Sequence, residues 1–441
     1  MAPFGHANGA SLIFSEKMEN SFQKITLDNG LRIILAPLPA FRSVTAIVLC
    51  QTGSRYETRK TNGISHFLEH MFFKGTKKRP TASDISHALD EIGADYNAFT
   101  GKEATGYHIK SASEHLPLVL DMLSDMLWNS KFDEGEIEKE RGVIIEEINM
   151  YEDTPMRRVA EIYEQVLWGD QPLGWDIAGR KEVIRKLQRE NFLNYIDLQY
   201  SPNRMVVALA GHLEKKDALA LIKEYFGRKT PKKVSAFLPV VESQKKPSLK
   251  VFYKKTDQAH LVVGVRGFKL DHPDRYNAAL LGTILGGGMS SRLFVNVREK
   301  RGLAYYVRAE HDSYLDTGTL AAAAGVDLKR IDEAIKVILD EFDQICQKPV
   351  GERELKKTKE YLKGRIILSW EDSRTVAFSY GTDELLEGKV RNLDEYLRKI
   401  DEVKAEDIQR VAKSLFVNSK LNLAVIGPFK DEARFEKILK L

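Results

Sequence analysis

Three side chains within five residues carry the strongest chemical signal in this sequence: His66, Glu69 and His70, in the run His66-Phe67-Leu68-Glu69-His70. Residues four apart on a helix share a face about one turn apart, so both imidazoles can reach one metal ion. Glu69 directly precedes the second histidine, close enough to hold a water on that metal and take its proton. Ile64, Phe67, Leu68, Met71 and Phe72 give the same helix an apolar character on most sides. Bare histidines and a glutamate buried there would cost stability unless paired or metal-bound. A lone histidine in such a helix reads as a core residue bonded to a carbonyl. Two at this spacing, with an adjacent glutamate, reverse that reading.

Such a helix needs a frame, and the flanking sequence supplies one. Phe22 to Leu27 and Leu31 to Ala36 form a hairpin about Asp28-Asn29-Gly30, and Ser43 to Gln51 reads as a strand of a buried sheet. The motif helix stops at Gly75, and a helix over Thr81 to Ile92 leads to strands at Asp95 to Thr100 and Ala104 to Ser111. An amphipathic helix over Leu116 to Trp128 returns across the sheet. Asp133, with Glu136 three residues on, opens a long helix that ends near Thr154, ahead of Pro155. Ile144, Ile145 and Ile148 form its apolar stripe. Glu140 and Glu147, seven apart, share a face; Glu146 is turned about 100° away. Met156 to Leu187 is helical and loop-rich, Met205 to Ala210 is a strand, and Leu213 to Phe226 a helix.

Arg228 to Lys250, rich in Lys, Pro and Ser, reads as a linker, after which the outline repeats. Strands at Val251 to Tyr253 and His260 to Val265 precede a helix over Tyr276 to Leu285 that lacks the motif and breaks at Gly286-Gly287-Gly288. Helices over Arg330 to Ile345 and Arg353 to Ser369 follow. A late strand, Leu421 to Ile426, takes the place that Met205 to Ala210 has earlier. The economical account is an α+β fold of two similar domains, 22–227 and 251–441, joined by the 228–250 linker. Each is a mostly antiparallel sheet covered by helices.

The chain has 441 residues, 43% hydrophobic and 29% charged, with a net charge of +4 and no dense basic tract beyond short runs such as Lys77-Lys78-Arg79. That argues against nucleic acid as a partner. No apolar run is long enough to span a membrane. Cys50 and Cys346 lie far apart in apolar contexts and read as buried thiols of a reducing compartment. The N-terminus lacks a charged start followed by an apolar core, and its first arginine is Arg32; the reading is cytoplasmic.

His-x-x-Glu-His is the inverted order of a zinc-peptidase motif. Four stretches resemble the pitrilysin, or M16, metallopeptidase family, which includes insulin-degrading enzyme and mitochondrial processing peptidase. SHFLEHMFFKGT is similar to its metal helix, NAFTGKEATGYH to its active-site edge strand, and ERGVIIEEINMYEDTP to the helix with its third ligand. VREKRGLAYYV resembles its arginine–tyrosine substrate segment, and the likeness extends over nearly the whole chain after about residue 22. The resemblance implies one zinc ion per chain held by His66, His70 and Glu147, with Glu69 as catalytic base and Glu140 a second catalytic residue beside the metal. Glu146 is the competing third ligand, and the pairing of Glu140 with Glu147 on one face favours Glu147. A solvated helix face is the plain alternative for Glu140.

The resemblance further implies that Asn97 and Ala98 lie on a strand to which a peptide substrate adds, and that Arg298 and Tyr305 bind its backbone or the tetrahedral intermediate. A strand-end residue is the plain alternative for Asn97. A surface salt bridge and a packed tyrosine are the alternative for Arg298 and Tyr305. The expected activity is zinc-dependent endopeptidase action on peptides or unfolded segments in a closed chamber. The chamber would be completed in a homodimer, or in a heterodimer with a related chain. The competing expectations are a non-catalytic core or assembly subunit, and a processing subunit that needs an inactive partner.

Overall fold

The computed structural model describes residues 22–441, so the reading of the N-terminus as leaderless falls on residues outside those described. In the first half, six strands form one sheet: β1 (Gln23–Thr26), β2 (Arg32–Pro37), β3 (Ser43–Cys50), β4 (Asp95–Thr100), β5 (Thr105–Ala112) and β6 (Met205–Gly211). They lie in the order β1-β2-β6-β3-β5-β4, antiparallel except for β2 beside β6. Successive side chains of a strand alternate between faces. On β3 both faces are buried. Val44, Ala46 and Val48 join Phe67, Leu68 and Leu120 in one core, while Ile47 and Leu49 enter a second core with Val376, Ala377 and Tyr380.

Those last three residues belong to the Ser373–Thr382 helix, contributed by the second half and packed on β3 and β6. The sequence reading passes over this helix, because SRTVAFSYGT mixes small and polar residues without a clear stripe.

The second sheet comprises β7 (Ser248–Tyr253), β8 (Gln258–Gly267), β9 (Ala304–Ser313), β10 (Gly318–Asp327) and β11 (Asn422–Gly427), in the order β7-β11-β8-β10-β9. Its β11 runs parallel to β7 and antiparallel to β8, as β6 does to β2 and β3. The repeat seen in outline in the sequence is therefore a repeat of topology, and the fold is α+β with two helix-covered sheets. Here the covering helix comes from the first half. Val159, Ile162 and Tyr163 of the Pro155–Trp168 helix pack on Val262, Ala424 and Ile426. The halves thus exchange helices. Each large apolar side chain buried this way contributes roughly 1.5–3 kcal/mol, more than an exposed ion pair at about 0–1 kcal/mol.

A buried charge cluster adds to the junction. The Arg55 guanidinium is enclosed, pairing with Glu103 of the first half and, at 2.6 Å, with Asp316 of the second, and the backbone N–H of Leu315 donates to Glu103. Phe237, in the irregular segment between the halves, stacks on Arg55 at 3.9 Å.

Several boundaries shift by a few residues from the sequence reading, two of them for reasons visible in the fold. The motif helix is Ile64–Met71 and ends before Gly75, because Phe73 and Lys74 close the last turn with three-residue bonds to His70 and Met71. The first strand of the second sheet begins at Ser248 rather than Val251, drawn in by pairing with Asn422 to Gly427. Cys50 and Cys346 are both buried and free. Among the described residues no helix is long and apolar enough to cross a membrane.

Candidate metal centre and active site

The motif helix is fixed at its start by contacts remote in sequence. Gly63 has φ 96°, and a Cβ there would meet the carbonyl of Ala178 at 2.7 Å, so only glycine fits. The buried Glu57 carboxylate accepts from the N–H groups of Gly63 and Ser65 and from Asn62, satisfying donors that a helix leaves open at its first turn. Burial still pushes the Glu57 carboxyl above its ordinary value, against these bonds. Ser65 is tied by its hydroxyl to Tyr195 at 2.8 Å. Phe67 packs edge-on against Phe192. Rotation of the helix is set by these contacts, and they turn His66, Glu69 and His70 toward the neighbouring Glu134–Asp153 helix and the end of β4.

The Glu134–Asp153 helix starts at Asp133, whose side chain accepts from the N–H groups of Gly135 and Glu136. It buries Ile137, Ile144 and Ile148 against the motif helix and leaves Ile145 only partly covered. On its adjoining face Glu147 Oε2 lies 3.5 Å from Nε2 of His66 and 3.5 Å from Nε2 of His70, and the two ring nitrogens are 3.3 Å apart. Glu146 is exposed and takes no part. Of the glutamate doublet, the structure brings Glu147 to the histidines. Among the described residues, these three are the one group of such side chains placed to hold a metal. A four-coordinate zinc ion holds N and O donors at roughly 2.0–2.2 Å, which sets neighbouring donors of a tetrahedron roughly 3.3–3.6 Å apart. The spacing of these donors fits such an ion.

Around the three donors, further groups fix their state. Glu140 accepts from His70 Nδ1 at 2.8 Å and from Lys74 at 2.6 Å. A carboxylate can only accept, so the proton sits on Nδ1 and the Nε2 lone pair faces Glu147 and His66. Burial opposes the charge of Glu140, but His70 and Lys74 outweigh it and hold the carboxyl below its ordinary value. Glu147 is likewise held low despite burial, by His66 and His70, and its Oε1 accepts from the Tyr151 hydroxyl. His70 is raised in turn: burial acts to lower it, but Glu140, Glu147 and Glu69 prevail. His66 Nδ1 is buried with no partner among the described residues. Glu69 points to the sheet, where its Oε2 accepts from the Thr100 hydroxyl at 2.6 Å.

Thr100 ends β4, the edge strand of the first sheet, which also carries Asn97 and Ala98 opposite His108 and Tyr107 of β5. Asn97 Oδ1 accepts from the N–H of Ala98 at 2.8 Å. Arg298 and Tyr305 lie elsewhere, in the second half. The Arg298 guanidinium sits 4.8 Å from the Phe294 ring and 5.8 Å from the Tyr305 ring, and Tyr305 is 74% exposed. Neither belongs to the His66, His70 and Glu147 cluster. Lys74 and Tyr151 escape the sequence reading although each stands four residues after a site residue, Tyr151 on the helical face of Glu147 and Lys74 in the turn that closes the motif helix. Glu57 and Thr100 are joined to the site only by the tertiary fold.

Residues 32–181 match the insulinase family, peptidase family M16, and residues 186–362 match the domain described as peptidase M16 inactive domain. The chain belongs to peptidase family M16. A Bacillus subtilis protein named as an uncharacterized zinc protease is 37% identical over 406 residues, covering 92% of this chain and 98% of that protein. One of the same description from Streptomyces coelicolor is 34% identical and covers 97% of this chain and 94% of its own. Among solved structures, a protease from Helicobacter pylori superposes with a TM-score of 0.86 at 23% identity, covering 92% of this chain and 99% of that one. A chain of complex III2 from Candida albicans superposes with a TM-score of 0.81 at 18% identity, covering 95% and 100%. At such identities these two structures establish the shared fold and nothing further.

Proposed function

We propose that this chain is a zinc-dependent endopeptidase whose metal is held by His66, His70 and Glu147. The observation that carries the reading is the convergence of His66 Nε2, His70 Nε2 and Glu147 Oε2 at 3.3 to 3.5 Å, beside a carboxylate that reaches an open sheet edge. When bound, zinc supplies Lewis acidity, polarising a scissile carbonyl and making water acidic enough to attack it near neutral pH. Glu69 receives the proton of the attacking water and delivers it to the leaving amine. Glu140 keeps the His70 ring turned with Nε2 inward, and Tyr151 occupies the far oxygen of Glu147.

A peptide would add to β4 as a further antiparallel strand beside Asn97 and Ala98, held mainly by main-chain bonds, so side-chain selectivity there should be loose. Because Ala98 N–H is bonded to the Asn97 side chain, an incoming strand must displace that amide. Arg298 and Tyr305 would act from the second half of another copy of the chain, in a homodimer, or in a related partner chain.

The test is cleavage of a quenched fluorescent peptide library, with zinc content measured alongside, for wild type and Glu69→Gln. Zinc retained at one per chain with hydrolysis lost is expected. Cleavage unchanged in the variant overturns the assignment of Glu69, and a wild type that neither binds zinc nor cleaves overturns the reading as a whole.

A further inference from the structure

Next to the candidate centre, and outside it, lies a cavity of about 390 Å3 lined from both halves of the chain. Arg157 enters it from the start of the Pro155–Trp168 helix and Arg308 from β9, the free edge strand of the second sheet. Arginine side chains seek acceptors for five N–H donors. Here neither guanidinium makes a hydrogen bond among the described residues. Arg157 has Glu161 at 3.8 Å and Arg308 has Glu310 at 4.0 Å, both loose contacts.

The carboxylates that share the cavity are already matched to other cations. Glu164 pairs with Lys102 at 2.8 Å, and Glu161 and Asp176 both pair with Arg158, at 2.7 and 2.9 Å. Three carboxylates thus share two cations, Lys102 and Arg158, while Arg157 and Arg308 add two positive charges that make no hydrogen bond among the described residues, Arg308 on a strand face it shares with Glu310 and Asp312. The helix beginning there has no side-chain cap at Thr154, so its partial positive pole also faces the cavity mouth. Met156 and Ala160 add an apolar wall. The cavity connects to the centre through one stack: the Arg157 guanidinium lies 3.1 Å over the ring of Tyr151, whose hydroxyl donates to Glu147.

We propose that Arg157 and Arg308 form a subsite for a carboxylate of the bound peptide, so that this chain selects acidic substrates at one position near the cleaved bond. The proposal rests on the peptidase reading above. Two sources offer this chemistry, an Asp or Glu side chain and the peptide's own C-terminal carboxylate. A bidentate arginine contact suits either.

The test uses a peptide set carrying Glu or Gln at each position in turn, each made as C-terminal acid and as amide. It is cleaved by wild type, Arg157→Gln, Arg308→Gln and the double variant. Expected for wild type is a Glu-over-Gln or acid-over-amide ratio of about tenfold in kcat/KM at a single position, falling toward one in the double variant. Because each ratio is internal to one enzyme, partial misfolding of a variant cancels. The position and the acid or amide arm identify the source. Ratios near one throughout in wild type, or a ratio that survives in the double variant, overturn the subsite. Failure to cleave any peptide, neutral ones included, would instead count against the peptidase reading. Anisotropy of the same labelled peptides on Glu69→Gln then decides the subsite separately, by whether acidic peptides bind about tenfold tighter than their neutral pairs.

Discussion

The Thr100 hydroxyl donates to the Glu69 carboxylate at 2.6 Å, joining the last residue of the edge strand to the acidic residue of the metal motif. The strand proposed to receive the peptide therefore also aims the group proposed to move its proton. Thr100→Val keeps shape and removes the donor. Cleavage should fall about 10- to 100-fold, mainly in kcat, with zinc content unchanged, since a hydrogen bond to a charged group is worth about 1.5–3 kcal/mol. Kinetics on one quenched peptide with metal analysis checks it. A rise in KM alone would assign Thr100 to substrate binding instead.

Glu140 orients His70 and is itself neutralised by Lys74. Glu140→Gln retains a hydrogen-bonding oxygen but removes the charge that makes Nε2 a strong donor. Zinc affinity should drop about 10–100-fold, read by competition with a chromogenic chelator. Unchanged affinity would reduce Glu140 to a structural partner of Lys74.

Arg55 has no exposed side-chain surface and joins both halves through Glu103 and Asp316. Removing one partner of a buried pair strands the other, at about 3–5 kcal/mol. Arg55→Met should lower urea stability by that amount, and adding Glu103→Gln and Asp316→Asn should restore part of it. A loss under about 1 kcal/mol would mean that water reaches the cluster.

His311 offers a pH effect away from the metal. Its Nε2 accepts from the backbone N–H of Phe268, and burial, helped by His272, lowers its pKa to about 4. The folded state thus disfavours the proton that the unfolded chain binds near the ordinary histidine value of 6.5. Stability from this group is present above pH 6.5 and is lost as pH falls toward 4. His311→Gln keeps an acceptor without titrating. The stability difference between pH 7.5 and pH 5 in urea should be smaller in the variant than in wild type; equal differences would remove His311 from the account.

Much of this is legible in the sequence. Alternation marks the first strand and apolar runs such as Ser43 to Gln51 mark buried ones, and the late strand Leu421 to Ile426 holds the place in the second half that Met205 to Ala210 holds in the first. The i, i+4 histidines mark one helix face as a candidate metal site, and the family resemblance, with the shared face of Glu140 and Glu147, points to the second helix. What could not be read is what depends on tertiary approach. The Ser373–Thr382 helix hides its stripe: the buried positions Ser373, Val376, Ala377, Tyr380 and Gly381 include a serine and a glycine, while the apolar Phe378 is left exposed. Glu57 reaches the motif helix from a polar loop, and Thr100 reaches Glu69 from another strand. The shared face with Glu140 favours Glu147 over Glu146, and the rotation of the helix, which Ile144 and Ile148 set by burial, turns Glu147 to the histidines and Glu146 to solvent.

Arg298 and Tyr305 are proposed to serve the centre of another chain. Both sit on the second half, and Tyr305 is largely exposed. If two copies share sites, an Arg298→Ala chain still offers an intact Glu69, and a Glu69→Gln chain still offers an intact Arg298. Either variant alone should be nearly inactive. Mixed in equal amounts after dissociation and reassembly, half of the dimers are hybrids with one complete site of two. The mixture should therefore recover about a quarter of wild-type activity. Sedimentation of the wild type should show a dimer at the same concentration. A mixture no more active than its parts would exclude shared sites and leave Arg298 either to the chain's own centre or to the ion pair and ring contacts it makes now.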